Sequence, residues 1–371
     1  MPRKKQPKVW SAEQHTLAKI AMLSDYLQRW FQIFGIASKG ENLVYIDGFA
    51  GPGEYTNSPH GSPLKAVIAA KTARADSRTS WNAGVIHCVF IEADEERFEH
   101  LSERMKPFSG TPEVQIHLVH DQFANGMIRL KDQMPDLFQQ TCPKFFFIDP
   151  FGAKGVPFAT VSDILSNRFT EVLINLDADG IARILRANTS AVYERLLTEI
   201  FGDDSWRKIS RSSSFSQQCR EVLNLYKGNL RKHAQYIFSF EMKTSESALN
   251  YFLVFASQHP RGLEKMKEAM KKIDQDGSYR FSDTSVGQTI MFRGDDSNLF
   301  SKAMKMHFAG RKVSFEELRD FALNETPFLN PKQMLKQLEA DGFITVESSD
   351  QRRKGTFNEA KIRSIEFRPE T

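Results

Sequence analysis

No stretch of this sequence approaches the roughly 18 to 20 uninterrupted apolar residues that a bilayer span needs. Met1-Pro2-Arg3-Lys4-Lys5 likewise has no apolar run of signal-peptide type behind it. A chain without membrane contact, placed in the cytoplasm, is the expectation. Cysteine is scarce: Cys88, Cys142 and Cys219 stand far apart and form no C-x-x-C pair. Neither a disulfide framework nor a structural zinc site is indicated, and no metal is expected. Excess charge is nearly absent too, with 50 Lys and Arg against 46 Asp and Glu and a formal net charge of +4. Such a balance permits a nucleic-acid partner without demanding one. What remains, 40% hydrophobic and 26% charged residues, is ordinary globular composition, enough for one large domain and a satellite.

The order of elements is read from periodicity. Ser11-Ala12-Glu13-Gln14 has the form of a capping box, and Leu17, Ile20, Leu23, Leu27, Trp30, Phe31 and Phe34 keep a three-four spacing, which predicts a helix over 11–36. Leu43-Val44-Tyr45-Ile46 is an apolar run suited to a strand buried on both faces. Strands over 85–91, 115–119, 145–148 and 171–176 then alternate with helices at Gly61-Ser62-Pro63 and over 95–105, 126–134 and about 158–166. Strand and helix alternating in this way predict a doubly wound parallel α/β sheet. Residues 185–235 turn polar and helical and read as an insertion, with a loop at Ser212-Ser213-Ser214. Runs at 236–240 and 251–256 are suited to an antiparallel edge pair, and a basic helix covers 262–273.

The pattern changes near residue 300, which divides the chain into a large domain (1–300) and a small one (301–371). Ser314-Phe315-Glu316-Glu317 is a second capping box, and Asn330-Pro331 opens a helix through Met334, Leu335 and Leu338 that ends at Gly342. Two strands, at 343–346 and 364–367, flank a basic loop. Helix, helix, strand, wing, strand is a winged-helix-like outline, with Lys332 and Lys336 on an exposed helix face and Arg352, Arg353 and Lys354 in the wing. Nucleic-acid binding is one use of such a module; protein docking is another. Arg3, Lys4, Lys5 and Lys8 and the helix at 265–272 add further basic clusters, each equally compatible with a solvated surface.

In an open parallel sheet, ligands bind at the carboxyl ends of the strands, and those ends carry the chemistry. Asp47-Gly48-Phe49-Ala50-Gly51-Pro52-Gly53 follows the first strand. Its glycines let backbone approach a ligand, but the spacing is not G-x-G-x-x-G and no Lys-Ser/Thr follows, which argues against a dinucleotide or a nucleoside triphosphate. A zwitterionic amino-acid moiety fits better, with N–H groups for its carboxylate and Asp47 for its ammonium. The second strand ends at Glu92, placed for ribose hydroxyls, with Asp94 as the following helix cap. After the third, Asp121 is placed to accept from an adenine amine while Phe123 packs on the ring. Three successive strands delivering a carboxylate to one edge is a coincidence of a different order from any one alone. The fourth strand runs into Asp149-Pro150-Phe151-Gly152, where a carboxylate, a proline carbonyl and an aromatic ring match the needs of methyl transfer to an exocyclic amine: two acceptors for the amino hydrogens and a face for the base. No cysteine sits at a strand end where it would attack a pyrimidine. His15 and Lys19, one turn apart on the leading helix, either reach across this cleft or face solvent.

The motif order resembles the class I S-adenosylmethionine-dependent methyltransferases. Tyr45-Ile46-Asp47-Gly48-Phe49-Ala50-Gly51-Pro52-Gly53 together with Phe147-Ile148-Asp149-Pro150-Phe151-Gly152 is similar to the three-Cys-motif partner family, TcmP, over about the first 280 residues. The resemblance implies S-adenosyl-L-methionine as cofactor, held by Asp47, Gly48, Phe49, Gly51, Gly53, Glu92, Asp121 and Phe123, with Asp149, Pro150 and Phe151 as the catalytic segment. In one respect the chain departs from the amino-methyltransferase pattern: Phe151 follows a single proline, which displaces the aromatic residue. The expected activity is methylation of an adenine-type amine in DNA or RNA. The alternatives are a non-catalytic scaffold for a neighbouring-gene three-Cys-motif protein and a methyltransferase acting on a protein or small molecule.

Overall fold

A run such as Phe145-Phe146-Phe147-Ile148 has no polar face, so it folds as a strand only where helices cover both sides of the sheet. The computed structural model, which describes residues 8–109, 111–187, 190–243, 250–274, 280–282 and 297–369, builds that sheet. Its strands are β1 (Leu43–Asp47), β2 (Ile86–Glu92), β3 (Val114–His120), β4 (Lys144–Ile148), β5 (Thr170–Leu176), β6 (Tyr236–Lys243), β7 (Asn250–Ser257) and β8 (Arg280–Ser282). They lie in the order β3-β2-β1-β4-β5-β7-β6-β8. β1 to β5 are parallel, and β7 is antiparallel to both of its neighbours, β5 and β6. Reversal of order on either side of β1, with an antiparallel strand inserted between β5 and β6, is the Rossmann-like class I methyltransferase arrangement. The three central parallel strands are buried at every position of β1, β2 and β4, whereas the edge strand β3 is buried only at Val114 and Val119.

Helices α1 (Gln14–Ala37), α2 (Ser62–Asp76), α3 (Glu95–Met105), α4 (Phe123–Gln133), α5 (Phe158–Leu165), α6 (Ala178–Arg186), α7 (Ala191–Phe201), α8 (Phe215–Leu230) and α9 (Pro260–Ile273) cover it. α1 buries Ile20, Leu23, Leu27, Trp30 and Phe31, the apolar stripe read from sequence. Its start is different from the expected capping box. The N-cap is Glu13, without a side-chain cap bond. Asn57 exchanges two hydrogen bonds with the backbone of Ala12, at 2.8 and 2.9 Å, and so holds the entry to the helix from a distant loop. α4 begins a turn earlier than the reading at 126, because Phe123 itself is drawn into the core at 2% exposure. The segment read as an insertion is integral to the sheet's packing: Leu197, Phe201, Trp206, Val222, Tyr226 and Leu230 share one apolar cluster with Val172, Ile174 and Val254 of the strands. Cys88, Cys142 and Cys219 are buried thiols.

A second compact unit holds α10 (Ser297–Phe308), β9 (Lys312–Val313), α11 (Phe315–Glu325), α12 (Lys332–Ala340), β10 (Ile344–Ser348) and β11 (Ile362–Phe367). Its antiparallel sheet has the order β10-β11-β9. The capping box at Ser314 and Glu317 forms as read. Lys332 N–H donates to Asn330 Oδ1 at 3.1 Å, and Gly342 takes φ 75° just past α12. α10 and β9 were not read from the sequence, although Met304 and Phe308, four apart, and Val313 enter the unit's core. Arg3, Lys4 and Lys5 lie outside the described residues.

Candidate functional site

The turn after β1 satisfies its own backbone. Gly48 N–H donates to Phe147 O at 2.9 Å, Phe49 N–H to Asp47 Oδ1 at 3.2 Å, Ala50 N–H to Ile91 O at 2.9 Å and Gly51 N–H to Glu92 Oε2 at 2.8 Å. The expectation that these N–H groups receive a ligand carboxylate is therefore corrected: at 48–51 each already has a protein acceptor. The glycines matter for space. A Cβ at Gly48 would sit 2.6 Å from the Phe123 ring, while Gly51, at φ 62°, faces open space.

Asp47 is also placed differently from its expected contact with a ligand ammonium. It is fully buried, and its Oδ2 accepts from Ser62 Oγ at 2.7 Å. Ser62 and Gly51, not Asp47, line the adjoining cavity. Burial pushes the Asp47 carboxyl up to about 7; bonds from Ser62 and Phe49 N–H oppose this, and the Asp149 and Glu92 charges add to it. The carboxyl acts on the site through Ser62 and the turn it orders.

Two cavities open along the carboxyl ends of the strands. One, of about 340 Å³, is lined by Glu92, Asp121 and Phe123 together with Gly48, Phe49 and Arg97. Glu92 accepts from Gly51 N–H with one oxygen and from Asp94 N–H, at 2.8 Å, with the other. A carboxylate offers about four lone-pair directions, so both oxygens retain acceptor capacity toward the cavity. Asp94 caps α3 by accepting from Arg97 N–H, as read. Asp121 accepts from Gln122 N–H at 2.8 Å and lies 3.5 Å from Arg129. Phe123 packs against Phe49, ring centres 5.6 Å apart.

The neighbouring cavity, of about 330 Å³, shares Phe49 and Phe151 with the first and is lined by Lys19, Ser62, Asp149, Asn175 and Tyr251. Here Asp149 Oδ2 is ion-paired with Lys19 Nζ at 2.5 Å and Oδ1 accepts from Asn175 Nδ2 at 2.7 Å. Lys19 is 5% exposed, with its ammonium 5.7 Å from the Tyr251 ring centre. Of the two readings of the α1 pair, the cleft-facing one holds: Lys19 and His15 both line this cavity. Pro150 O accepts from Gly152 N–H at 3.0 Å, which leaves one lone pair of that carbonyl for another donor. Phe151 is 55% exposed and meets Trp10 edge-on at 5.6 Å, with the Arg97 guanidinium 5.0 Å from its ring centre. Tyr55 abuts Trp10 at 5.7 Å. Burial, and then the charges of Asp149 and Asp47, hold the Tyr55 phenol well above its usual range, so it remains a hydroxyl.

Sequence reading missed Ser62, Asn175, Trp10, Tyr55 and Tyr251 as site residues. Asn175 carries a usable signal, an amide near the carboxyl end of a strand whose preceding residues Val172, Leu173 and Ile174 are apolar. The others reach the cavity from loops, from the first residue of α2 and from β7, positions with no periodic mark.

In the second unit, Lys332, Lys336, Arg353 and Lys354 are exposed, and the Lys336 stem runs beside the turn at Gly355. Arg352 departs from the reading. It pairs with Glu339 of α12 and donates to Thr356 O at 3.0 Å, with its side chain 18% exposed. Its guanidinium holds the loop rather than presenting itself outward.

No protein-family model matches the chain. No curated protein matches it. Among solved structures it is similar to Trm1 from Pyrococcus horikoshii in complex with S-adenosyl-L-methionine, at 12% identity and TM-score 0.35, over 73% of this chain and 62% of that one. It is likewise similar to the O-methyltransferase TomG from Streptomyces achromogenes, in complex with SAM (13% identity, TM-score 0.32, 67% and 92% covered). A third is TYW2 from M. jannaschii in complex with AdoMet (11% identity, TM-score 0.30, 66% and 76% covered). Likenesses this distant carry no chemistry over; the fold assignment stands on the strand order. Among the described residues no helix is long and apolar enough to cross a membrane.

Proposed function

We propose that this protein transfers a methyl group from S-adenosyl-L-methionine to an exocyclic amine of a nucleic-acid base, adenine in type. The observation that carries the reading is the placement of Asp149, Pro150 and Phe151 at the end of β4, on a cavity that shares Phe49 and Phe151 in its lining with one that Glu92 and Asp121 line. The cofactor fits that second cavity by its donor set: Glu92 has acceptor capacity for two ribose hydroxyls, Asp121 for an adenine amine, and Phe123 and Phe49 supply apolar faces. When bound, it supplies a methyl group activated by a sulfonium.

The chain's own residues do the rest. Asp149 and the Pro150 carbonyl accept the two amino hydrogens and turn the nitrogen lone pair toward the methyl carbon. With the cofactor supplying the methyl carbon, the amine nitrogen would shed one proton on methylation, and Asp149 or water would take it. Catalysis here is mainly positioning. Trp10, Tyr55 and Phe151 form an aromatic mouth with Arg97 beside it, a surface on which an unstacked base rests. Exposed Lys332, Lys336, Arg353 and Lys354 supply phosphate contacts from the winged-helix-like unit. The paired motifs at 45–53 and 147–152 support membership of the three-Cys-motif partner family.

The test is transfer of labelled methyl from the cofactor to DNA, tRNA and rRNA, with calorimetric titration of S-adenosylhomocysteine alongside. Asp149→Ala is expected to lower transfer by about 10³-fold or more while leaving S-adenosylhomocysteine binding unchanged. Unchanged turnover in that variant sinks the catalytic assignment. Failure of the folded wild type to bind S-adenosylhomocysteine moves the protein to the non-catalytic scaffold class.

A further inference from the structure

The floor of the Asp149 cavity presents a donor beside an acceptor. Lys19 Nζ carries three N–H donors, spends one on Asp149 Oδ2 at 2.5 Å, and lines the cavity under the Tyr251 ring. Asp149 keeps unused lone pairs after accepting from Lys19 and Asn175. Lys19 comes from the first helix, 130 residues from its partner, and among the described residues lining this cavity it is the only Lys or Arg. A buried ammonium held this way is costly to leave without a partner when a ligand displaces water, so the ligand atom that meets it must be an acceptor.

We propose that Lys19 reads an unprotonated ring nitrogen next to the reacting amine. This rests on the amine methylation proposed above. Adenine (N6 beside N1) and cytosine (N4 beside N3) both present that edge: the amine gives its hydrogens to Asp149 and Pro150 O, and the ring nitrogen accepts from Lys19. The guanine amine lies between N1–H and N3, so only its N3 edge offers Lys19 an acceptor, and its N1–H edge sets donor against donor. Lys19 thereby has two tasks, orienting Asp149 and recognising substrate, and Asn175 fixes the second carboxylate oxygen so that neither task turns the group away.

The experiment uses the full-length protein and the oligonucleotide that it labels, synthesised again with the labelled base replaced by 1-deazaadenine (or 3-deazacytosine where cytosine is labelled), which keeps the amine and removes only the ring acceptor. Wild type is expected to lose about 10- to 100-fold in kcat/KM on the deaza base, the effect of one charge-assisted hydrogen bond. Lys19→Met is expected to lose a similar factor on the natural base and to treat the two bases alike; Lys19→Arg keeps part of the discrimination. Equal rates of wild type on both bases, or an undiminished preference in Lys19→Met, overturn the role of Lys19 while the methyltransferase reading stands. If Lys19→Met does not fold, the wild-type comparison decides by itself. If no base of any nucleic acid is labelled, the underlying reading fails and this inference fails with it.

Discussion

The two ends of the sheet each hold a buried carboxyl pushed up to about 7, and they use it in opposite ways. At the carboxyl ends of the strands Asp47 lies among Glu92 and Asp149, behind Ser62, next to two cavities whose walls keep unspent acceptors and donors. At the other end Glu171 of β5 is held by protein partners. Its oxygens accept from Tyr26 and, at 2.9 Å, from Ser257, and the backbone of Gly262 lies against it. Glu171 is in the lining of a cavity of about 340 Å³ there, with Trp30, Phe34, Phe169, Arg168 and Lys265. Burial is the largest cause of both shifts. A raised carboxyl pKa alone therefore does not mark a site: Asp47 stands behind Ser62, outside the lining of the two cavities beside it, and Glu171, which does face a cavity, has both oxygens engaged by Tyr26 and Ser257.

The largest effect expected from this contrast is at the carboxyl ends of the strands. Glu92→Ala removes the proposed ribose acceptor and frees two backbone N–H groups, and calorimetry should show S-adenosylhomocysteine affinity lower by about 100-fold, the equivalent of two charge-assisted hydrogen bonds at the low end of their range. Wild-type affinity in that variant breaks the distinction between the two ends.

A smaller, purely structural effect is expected at the Glu171 end. Ala in place of Gly262 favours the helix by about 1 kcal/mol in propensity, but its Cβ falls on the Glu171 carboxylate. Overpacking of this kind costs about 3 kcal/mol, so urea unfolding should show a net loss of about 2 kcal/mol with S-adenosylhomocysteine affinity unchanged. A gain in stability would mean that the packing around Glu171 is loose.

A third effect, confined to the pH dependence of stability, follows from Glu171 itself. Glu171, ordinarily ionised above about 4.5, holds its proton up to about 7 only in the folded chain. Its contribution to stability is therefore full below the ordinary carboxyl range and falls away as pH rises toward 7 and beyond. Comparing unfolding at pH 5 and pH 8, Glu171→Gln should lose less than wild type over that interval, by up to about 2.5 kcal/mol. An identical pH slope in the two proteins removes Glu171 from the account and leaves Asp47 as the remaining raised carboxyl in the sheet.

Much of the fold was legible because parallel strands buried on both faces leave unmistakable apolar runs: 43–46, 145–148 and 171–176 fall within β1, β4 and β5. Helix ends were less so. The Ser11 capping box does not form: α1 opens at Gln14 with Glu13 as N-cap, and Asn57, which no local pattern relates to Ala12, holds the backbone just before it, while the Ser314 box, whose partners are three residues apart, forms as written. The polar surface of 185–235 concealed that Trp206 and Tyr226 reach the main core. In the site, Glu92, Asp121 and Asp149 were legible because strand ends are predictable and the sheet gathers them. Arg352 was misread because basic residues in a loop look alike until one of them finds a buried carboxylate such as Glu339.

The sequence by itself determined the doubly wound sheet and the edge on which its carboxylates converge, because strand periodicity and the residues that follow each strand are local properties. Only the tertiary structure decided which of those groups still face a ligand. Asp47 withdraws behind Ser62, the turn after β1 spends its N–H groups on its own neighbours, and Lys19 arrives from another element to meet Asp149. Hydrogen-bonding capacity is exhausted or spared by partners distant in the chain, and no local pattern records which.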